Sequence, residues 1–146
     1  MASRFLQGKY HPKNPQKYKG DINDITYRSS WELEMCEFLD RNQRVLQWAS
    51  ESIIIPYLNI IDKKMHRYYP DFYVEYISKN GEIIQEIIEV KPKAQTRPPR
   101  KNSNSKYLLY EKQTYVKNIC KWKAAQKWCK EHNMQFRVLT EISIFK

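Results

Sequence analysis

What this chain lacks narrows it first. It has three cysteines, Cys36, Cys120 and Cys129, an odd number with no CxxC spacing. That argues against a disulfide scaffold and a zinc finger, and it fits a reducing compartment. The three histidines, His11, His66 and His132, are scattered, and none stands at ligand spacing to a cysteine or another histidine. Met1-Ala2-Ser3-Arg4-Phe5 opens no apolar stretch of the signal-peptide kind. No segment approaches the roughly 20 apolar residues of a membrane span. The expectation is a soluble, intracellular protein with no membrane partner. Acid is also scarce. Against 26 Lys and Arg stand 16 Asp and Glu, a formal charge of +10, and the pI is near 9.5. A small protein this basic usually meets a polyanion, most often nucleic acid. The bland alternative is a basic surface that serves only solubility.

What is present fits one domain. At 146 residues and 41% hydrophobic content, the chain can bury a real core. No repeat and no second domain are visible. Residues 1–28 are polar, basic and turn-rich, with Gly8, Pro12, Pro15 and Gly20 opposing regular structure. They read as an extended basic N-terminal arm, or equally as a disordered tail, ahead of a single domain over 29–146. Ser29-Ser30-Trp31-Glu32 matches a capping box with Ser29 as N-cap, opening a helix to about Arg41. A helical wheel places Trp31, Met35, Phe38 and Leu39 on one face and Glu32 at its edge, while Glu34 and Glu37 turn to solvent. Glu32 either caps the helix or reaches into the protein body, and the pattern leaves both readings open.

Arg44–Tyr57 reads as a strand with a bend near Trp48–Ser52. Asn59–Lys64 reads as a turn, and Met65–Ile77 as a second strand interrupted by Pro70. Glu82–Val90 reads as a third strand, with Ile83-Ile84 and Ile87-Ile88 suggesting burial on both faces. Residues 92–106 carry Lys93, Arg97, Arg100, Lys101 and Lys106 and no acid, forming a basic loop suited to phosphate contact, or a solvated linker. Tyr107–His132 is helical, with a break expected at Tyr115–Asn118, and Asn133 is a plausible C-cap. Gln135–Leu139 is a fourth strand.

The chemistry concentrates between Tyr69 and Lys91. Side chains alternate along a strand, so Glu89 and Lys91 point the same way. Two carboxylates, Asp71 and Glu89, with the Val90 carbonyl as a third ligand, suffice for Mg²⁺, which keeps several of its waters. Lys91 is placed to orient or help deprotonate an attacking water and to face the charge of a phosphate transition state. Glu32 would complete the acid cluster.

Pro70-Asp71, then 17 residues, then Glu89-Val90-Lys91 resembles the motif of the PD-(D/E)xK nuclease superfamily. Ser29-Ser30-Trp31-Glu32 is similar to the helical glutamate of its TnsA-like and resolvase-like branches. The order Tyr27-Arg28-Ser29-Ser30-Trp31-Glu32, Arg67-Tyr68-Tyr69-Pro70-Asp71-Phe72 and Glu89-Val90-Lys91-Pro92-Lys93 resembles the head completion nucleases of large tailed phages. The resemblance covers roughly residues 27–141. It implies an α/β restriction-endonuclease-like αβββαβ core, a mixed central sheet flanked by helices. It implies catalysis by Glu32, Asp71, Glu89 and Lys91, with Mg²⁺ as cofactor and Mn²⁺ able to substitute. Lys93, Arg97, Arg100, Lys101 and Arg67 are the expected DNA contacts. Phage portal or head proteins are implied partners, a homodimer is allowed, and the place of action is the host cytoplasm or the virion. Two other readings compete: a non-catalytic DNA- or portal-binding protein on a nuclease fold, and a TnsA-like transposase subunit. Gln126 could belong near the site, although packing suits it better.

Overall fold

The computed structural model describes residues 7–99 and 105–140. Ten elements follow in order: β1 (Gly8–Lys9), β2 (Thr26–Tyr27), α1 (Ser30–Arg41), β3 (Val45–Ser50), β4 (Ile55–Asn59), β5 (Lys64–Tyr68), β6 (Phe72–Ile77), β7 (Ile83–Val90), α2 (Ser105–Glu131) and β8 (Gln135–Leu139). Short 3-10 turns occupy Pro15–Lys17 and Lys93–Thr96. The central sheet has the order β3-β6-β7-β8. Its first two pairings are antiparallel and β7–β8 is parallel, with α2 as the crossover. The sheet is therefore mixed, with α1 on one face and α2 on the other, as the sequence implied.

Two long strands expected from sequence are each broken in two. Arg44–Tyr57 divides into β3 and β4, and Met65–Ile77 into β5 and β6. The breaks sit at Glu51, which adopts a left-handed φ of 50°, and at the buried Pro70, which has no amide for the ladder. Between the breaks, β4 and β5 form a separate hairpin. Its inner face sets Ile55, Tyr57 and Tyr68 against Trp122 and Ala125 of α2. Its outer face and tip leave Leu58, Ile60, Ile61 and Met65 in water, Met65 with 64% of its surface exposed.

Register decides which residues face which helix. The row Ala49, Tyr73, Ile87, Phe136 runs across the sheet on the α2 side. The neighbouring row Trp48, Val74, Glu86, Gln135 runs on the α1 side. Burial along β7 fills both faces only from Glu86 to Val90. Ile83, expected to be buried, is 63% exposed at the strand's start.

α1 begins as the capping box requires. The Glu32 amide donates to Ser29 Oγ at 3.1 Å. Met35, Cys36, Leu39 and the acid Asp40 are buried, whereas Phe38, expected in the apolar face, is 55% exposed. The reason is geometric. α1 covers β3 and β6 but stops short of β8, and the open groove of about 750 Å³ beside it is edged by Phe38, Tyr76, Ile84 and Leu139. α2 runs unbroken through Tyr115–Asn118. Packing of Ile119, Trp122 and Cys129 on the hairpin and sheet overrides the weak helix preference of Thr114-Tyr115-Val116. It ends with Asn133 at a φ of 56° and the Met134 amide donating to the Cys129 carbonyl at 2.8 Å, a Schellman closure. Among the described residues no helix is long and apolar enough to cross a membrane.

The stretch 7–28 is packed onto the domain. Ile25 is fully buried, and Tyr10 and Tyr18 approach Trp48 edge-on with ring centroids 6.0 and 4.7 Å away. Its anchor is Asp40. That carboxylate accepts from the Tyr10 hydroxyl at 2.7 Å and from the Lys13 and Asn14 amides at 2.8 and 3.0 Å.

Candidate active site

The strand ends near Pro70 bring the acids together. Phe72 pairs with Ile88, so one step outward sets Asp71 opposite Glu89. Alternation turns both toward the α2 side, the same face as Tyr73 and Ile87. Each carboxylate is tied to the other residue's strand end. The Val90 amide donates to Asp71 Oδ2 at 2.8 Å, and the Asp71 amide donates to Glu89 Oε1 at 3.3 Å. Lys91 Nζ stands 3.7 Å from Glu89 Oε2. Sequence spacing thus brings Asp71, Glu89 and Lys91 to one spot, although a chain stretch of 17 residues separates the two acids.

Electrostatics marks the pair as incompletely compensated. Burial, followed by the charges of Glu89 and Glu32, pushes the Asp71 carboxyl well above the ordinary range. Burial also raises Glu89, while Lys91 and Lys121 pull against it. A second buried glutamate on the same strand makes the contrast. Glu86 is 2% exposed but held by the Tyr76 hydroxyl at 2.9 Å and by Arg137 at 2.7 Å. Glu86 faces the α1 side, where the Tyr76 hydroxyl and the Arg137 guanidinium answer its charge. Glu89 shares its space with a second acid, which structure alone does not reward.

Glu32 does both things the sequence left open. Its amide closes the N-cap, and its carboxylate accepts from Ser29 Oγ at 3.3 Å. Burial raises its carboxyl, and its charge is felt at Asp71. Arg28 and Glu51 stand alongside, joined by two hydrogen bonds of 2.9 and 3.2 Å.

Two residues that sequence reasoning missed come from outside the motif. Tyr68, at the end of β5, is 2% exposed. Burial and then Glu89 drive its hydroxyl upward in pKa, yet that hydroxyl makes no hydrogen bond of good geometry. Lys121 projects from α2 with its ammonium 5.4 Å from the Tyr68 ring centroid. Burial, then Lys91 and Lys117, lower its pKa, while Glu89 and Asp71 oppose the fall. The only sequence signal was the i, i+4 pair Lys117 and Lys121 flanking an apolar helix face. Gln126 is exposed on α2 and joins neither the site nor the core. Lys93, Arg97 and Arg67 are exposed. Arg100 and Lys101 lie outside the described residues.

Two adjoining buried carboxylates, both raised in pKa by burial, suit a hard divalent cation, which stabilises the charged form of both and brings its own waters. Among the described residues, no three His, Cys, Asp or Glu side chains converge tightly enough to enclose an ion by themselves. The two acids would thus hold a cation that completes its shell with water or a backbone carbonyl.

A mixed sheet with paired acids and a lysine at its strand ends defines a nuclease of the PD-(D/E)xK type, a class that works with a divalent metal. Residues 42–141 match the family described as TnsA-like endonuclease N terminal, and the chain belongs to it. It is an endonuclease, and DNA is what it acts on. Over 139 residues it is 40% identical to the head completion nuclease of Enterobacteria phage T4, covering 92% of this chain and 90% of that protein.

Proposed function

We propose that this chain is a Mg²⁺-dependent endonuclease that cuts DNA ends or branches during phage head completion, with Mn²⁺ able to replace Mg²⁺. One observation carries the catalytic reading: Asp71 and Glu89, 3.3 Å apart through amide and carboxylate, share one strand end with the Lys91 ammonium. Asp71 and Glu89 hold the cation, with the Val90 carbonyl as a third ligand and Glu32 bordering the site. When bound, the cation supplies positive charge against the phosphate oxygens and a more acidic water. Lys91 would orient an attacking water and face the charge that grows on the phosphate. Lys121, near enough to feel the charge of Lys91, meets the phosphate from α2. Lys93, Arg97 and Arg67, with Arg100 and Lys101, grip the flanking backbone.

The similarity to a head completion nuclease supports an assembly role, with portal or head proteins as neighbours and the host cytoplasm or virion as the place of work. The test is direct. Plasmid and branched DNA are incubated with wild type, Asp71→Ala and Lys91→Ala, with Mg²⁺ and with EDTA. Wild type should cut only with the metal, and both variants should fall at least a hundredfold. Metal-independent cutting, or variants as active as wild type, would overturn the assignment.

A further inference from the structure

A cleft of about 280 Å³ lies between the turn after Lys91 and the N-terminal half of α2. Gln95, Arg97, Tyr107, Tyr110, Glu111 and Asn118 are among its walls. Three features make it more than surface roughness. Tyr107 and Tyr110 are 63% and 66% exposed, although they stand at i, i+3 spacing on one helix face and could have packed. Asn118, only 4% exposed, has a buried Nδ2 with no hydrogen-bond partner. A buried donor without an acceptor is rare and costly unless something supplies the acceptor. Finally, the two guanidinium and amide donors, Arg97 and Gln95, line the same cleft, with Glu111 its one acid.

A flat ligand with an aromatic face and several acceptor atoms on its edge meets all three. A nucleobase has that chemistry, and stacking on tyrosine is how proteins hold bases without reading sequence. The volume lies just below the roughly 300–1,000 Å³ of small-ligand clefts, far too small for a duplex. A single unpaired base could enter. The position is also telling. Asn118 precedes Lys121 by three residues, and Tyr110 precedes it by eleven, about 16 Å along the helix axis. That is a span of a few nucleotides of strand.

We propose that this cleft holds one unpaired base of the substrate strand a few nucleotides from the bond that is cut, so that the enzyme measures its cut from a junction between paired and unpaired DNA. The measuring role rests on the nuclease reading above. The base-holding role does not.

The test uses a fork and a blunt duplex of the same sequence, the fork carrying 2-aminopurine in its unpaired strand. Binding is followed in EDTA and cutting in Mg²⁺. Wild type should quench the probe on the fork as the base stacks. Tyr107→Ala/Tyr110→Ala should abolish the quench, weaken fork binding about tenfold or more, leave duplex binding unchanged and scatter the cut positions. Tyr110→Phe keeps the aromatic face and should behave as wild type. Asn118→Leu, which removes the donor at similar size, should weaken fork binding alone. An unquenched probe at saturating protein, or equal losses on fork and duplex, would overturn the proposal. Quenching without any cutting in Mg²⁺ leaves the base site standing and removes the Mg²⁺-dependent cutting of ends or branches proposed above. Cutting without quenching does the reverse.

Discussion

Replacing Asp40 by alanine should release the N-terminal stretch from the domain. Asp40 is fully buried in α1, yet burial alone does not set its charge. Hydrogen bonds from Tyr10 and the Lys13 and Asn14 amides outweigh desolvation and hold its carboxyl below the ordinary value of 3.8. Alanine leaves those three donors, at 2.7, 2.8 and 3.0 Å, facing an empty space. Each bond to a charged acceptor contributes about 1.5–3 kcal/mol, though neighbours in one network do not add fully. A total loss of about 4 kcal/mol follows, as for other broken buried charge networks. In a domain of this size that is a drop of about 10 °C in melting temperature. The sign with pH is fixed by the lowered pKa. Asp40 contributes its stability above the ordinary carboxylate range and loses it as pH falls through the folded value. The gap between wild type and variant should therefore narrow in strong acid. Calorimetry at pH 7 and at progressively lower pH measures the gap. Limited trypsin digestion reports on Lys9, Lys13, Lys17 and Lys19, which should become cleavable in the variant well below its melting point. Melting within 2 °C of wild type, or a stretch that still resists trypsin, would refute this account of the anchor.

Three further outcomes are expected. The raised Asp71 carboxyl favours folding below the ordinary value of 3.8 and opposes it as pH rises through the folded pKa. Asp71→Asn should accordingly melt higher than wild type at neutral pH in EDTA, by about 3 °C for each kcal/mol relieved, with the advantage vanishing in acid and shrinking when Mg²⁺ is added. Glu32→Gln keeps the helix cap and should lower cutting at least tenfold with little change in melting. If activity is untouched and melting falls by the few degrees of a lost cap, about 1 kcal/mol, then Glu32 serves only α1. Lys121→Met should lower kcat/KM about 10- to 100-fold, as for a lost charged contact to phosphate, without loss of stability, since a half-buried ammonium is removed. Unchanged kcat/KM would exclude it from the site.

The candidate site was legible because its chemistry leaves a rigid trace. Asp71, Glu89 and Lys91 must share one face at neighbouring strand ends, and strand periodicity fixes the Glu89–Lys91 spacing. The wheel set Glu32 at the edge of the apolar face, where it is half-buried and caps the helix, because capping and facing inward leave the same mark at the third helical position. The fold's finer breaks were not legible. A β-rich run shows no difference between one bent strand and two, and the residue that turns at Glu51 is no glycine. Phe38 was misplaced because a wheel reveals an apolar side but not how far the sheet beneath it extends. Asp40 was unreadable for the opposite reason: an acid on a helix looks solvated until its partners, more than 20 residues earlier, are seen. Tyr68 and Lys121 meet at Glu89 from two elements 53 residues apart in the chain, and no local pattern carries such a meeting.

The hairpin β4–β5 gives the molecule two surfaces that answer salt in opposite senses. Its outer side offers Leu58, Ile60, Ile61 and Met65 to water, while the side beyond the end of β7, with exposed Lys93 and Arg97, is cationic. Raising ionic strength strips DNA from the cationic side, because released counterions lose their advantage. The same step, taken with sulfate or phosphate salts, makes water a poorer solvent for the hairpin. A buffer chosen to clear nucleic acid from this protein is thus also the one in which copies of it adhere to hydrophobic matrices and to each other, and chloride at moderate strength is the gentler choice.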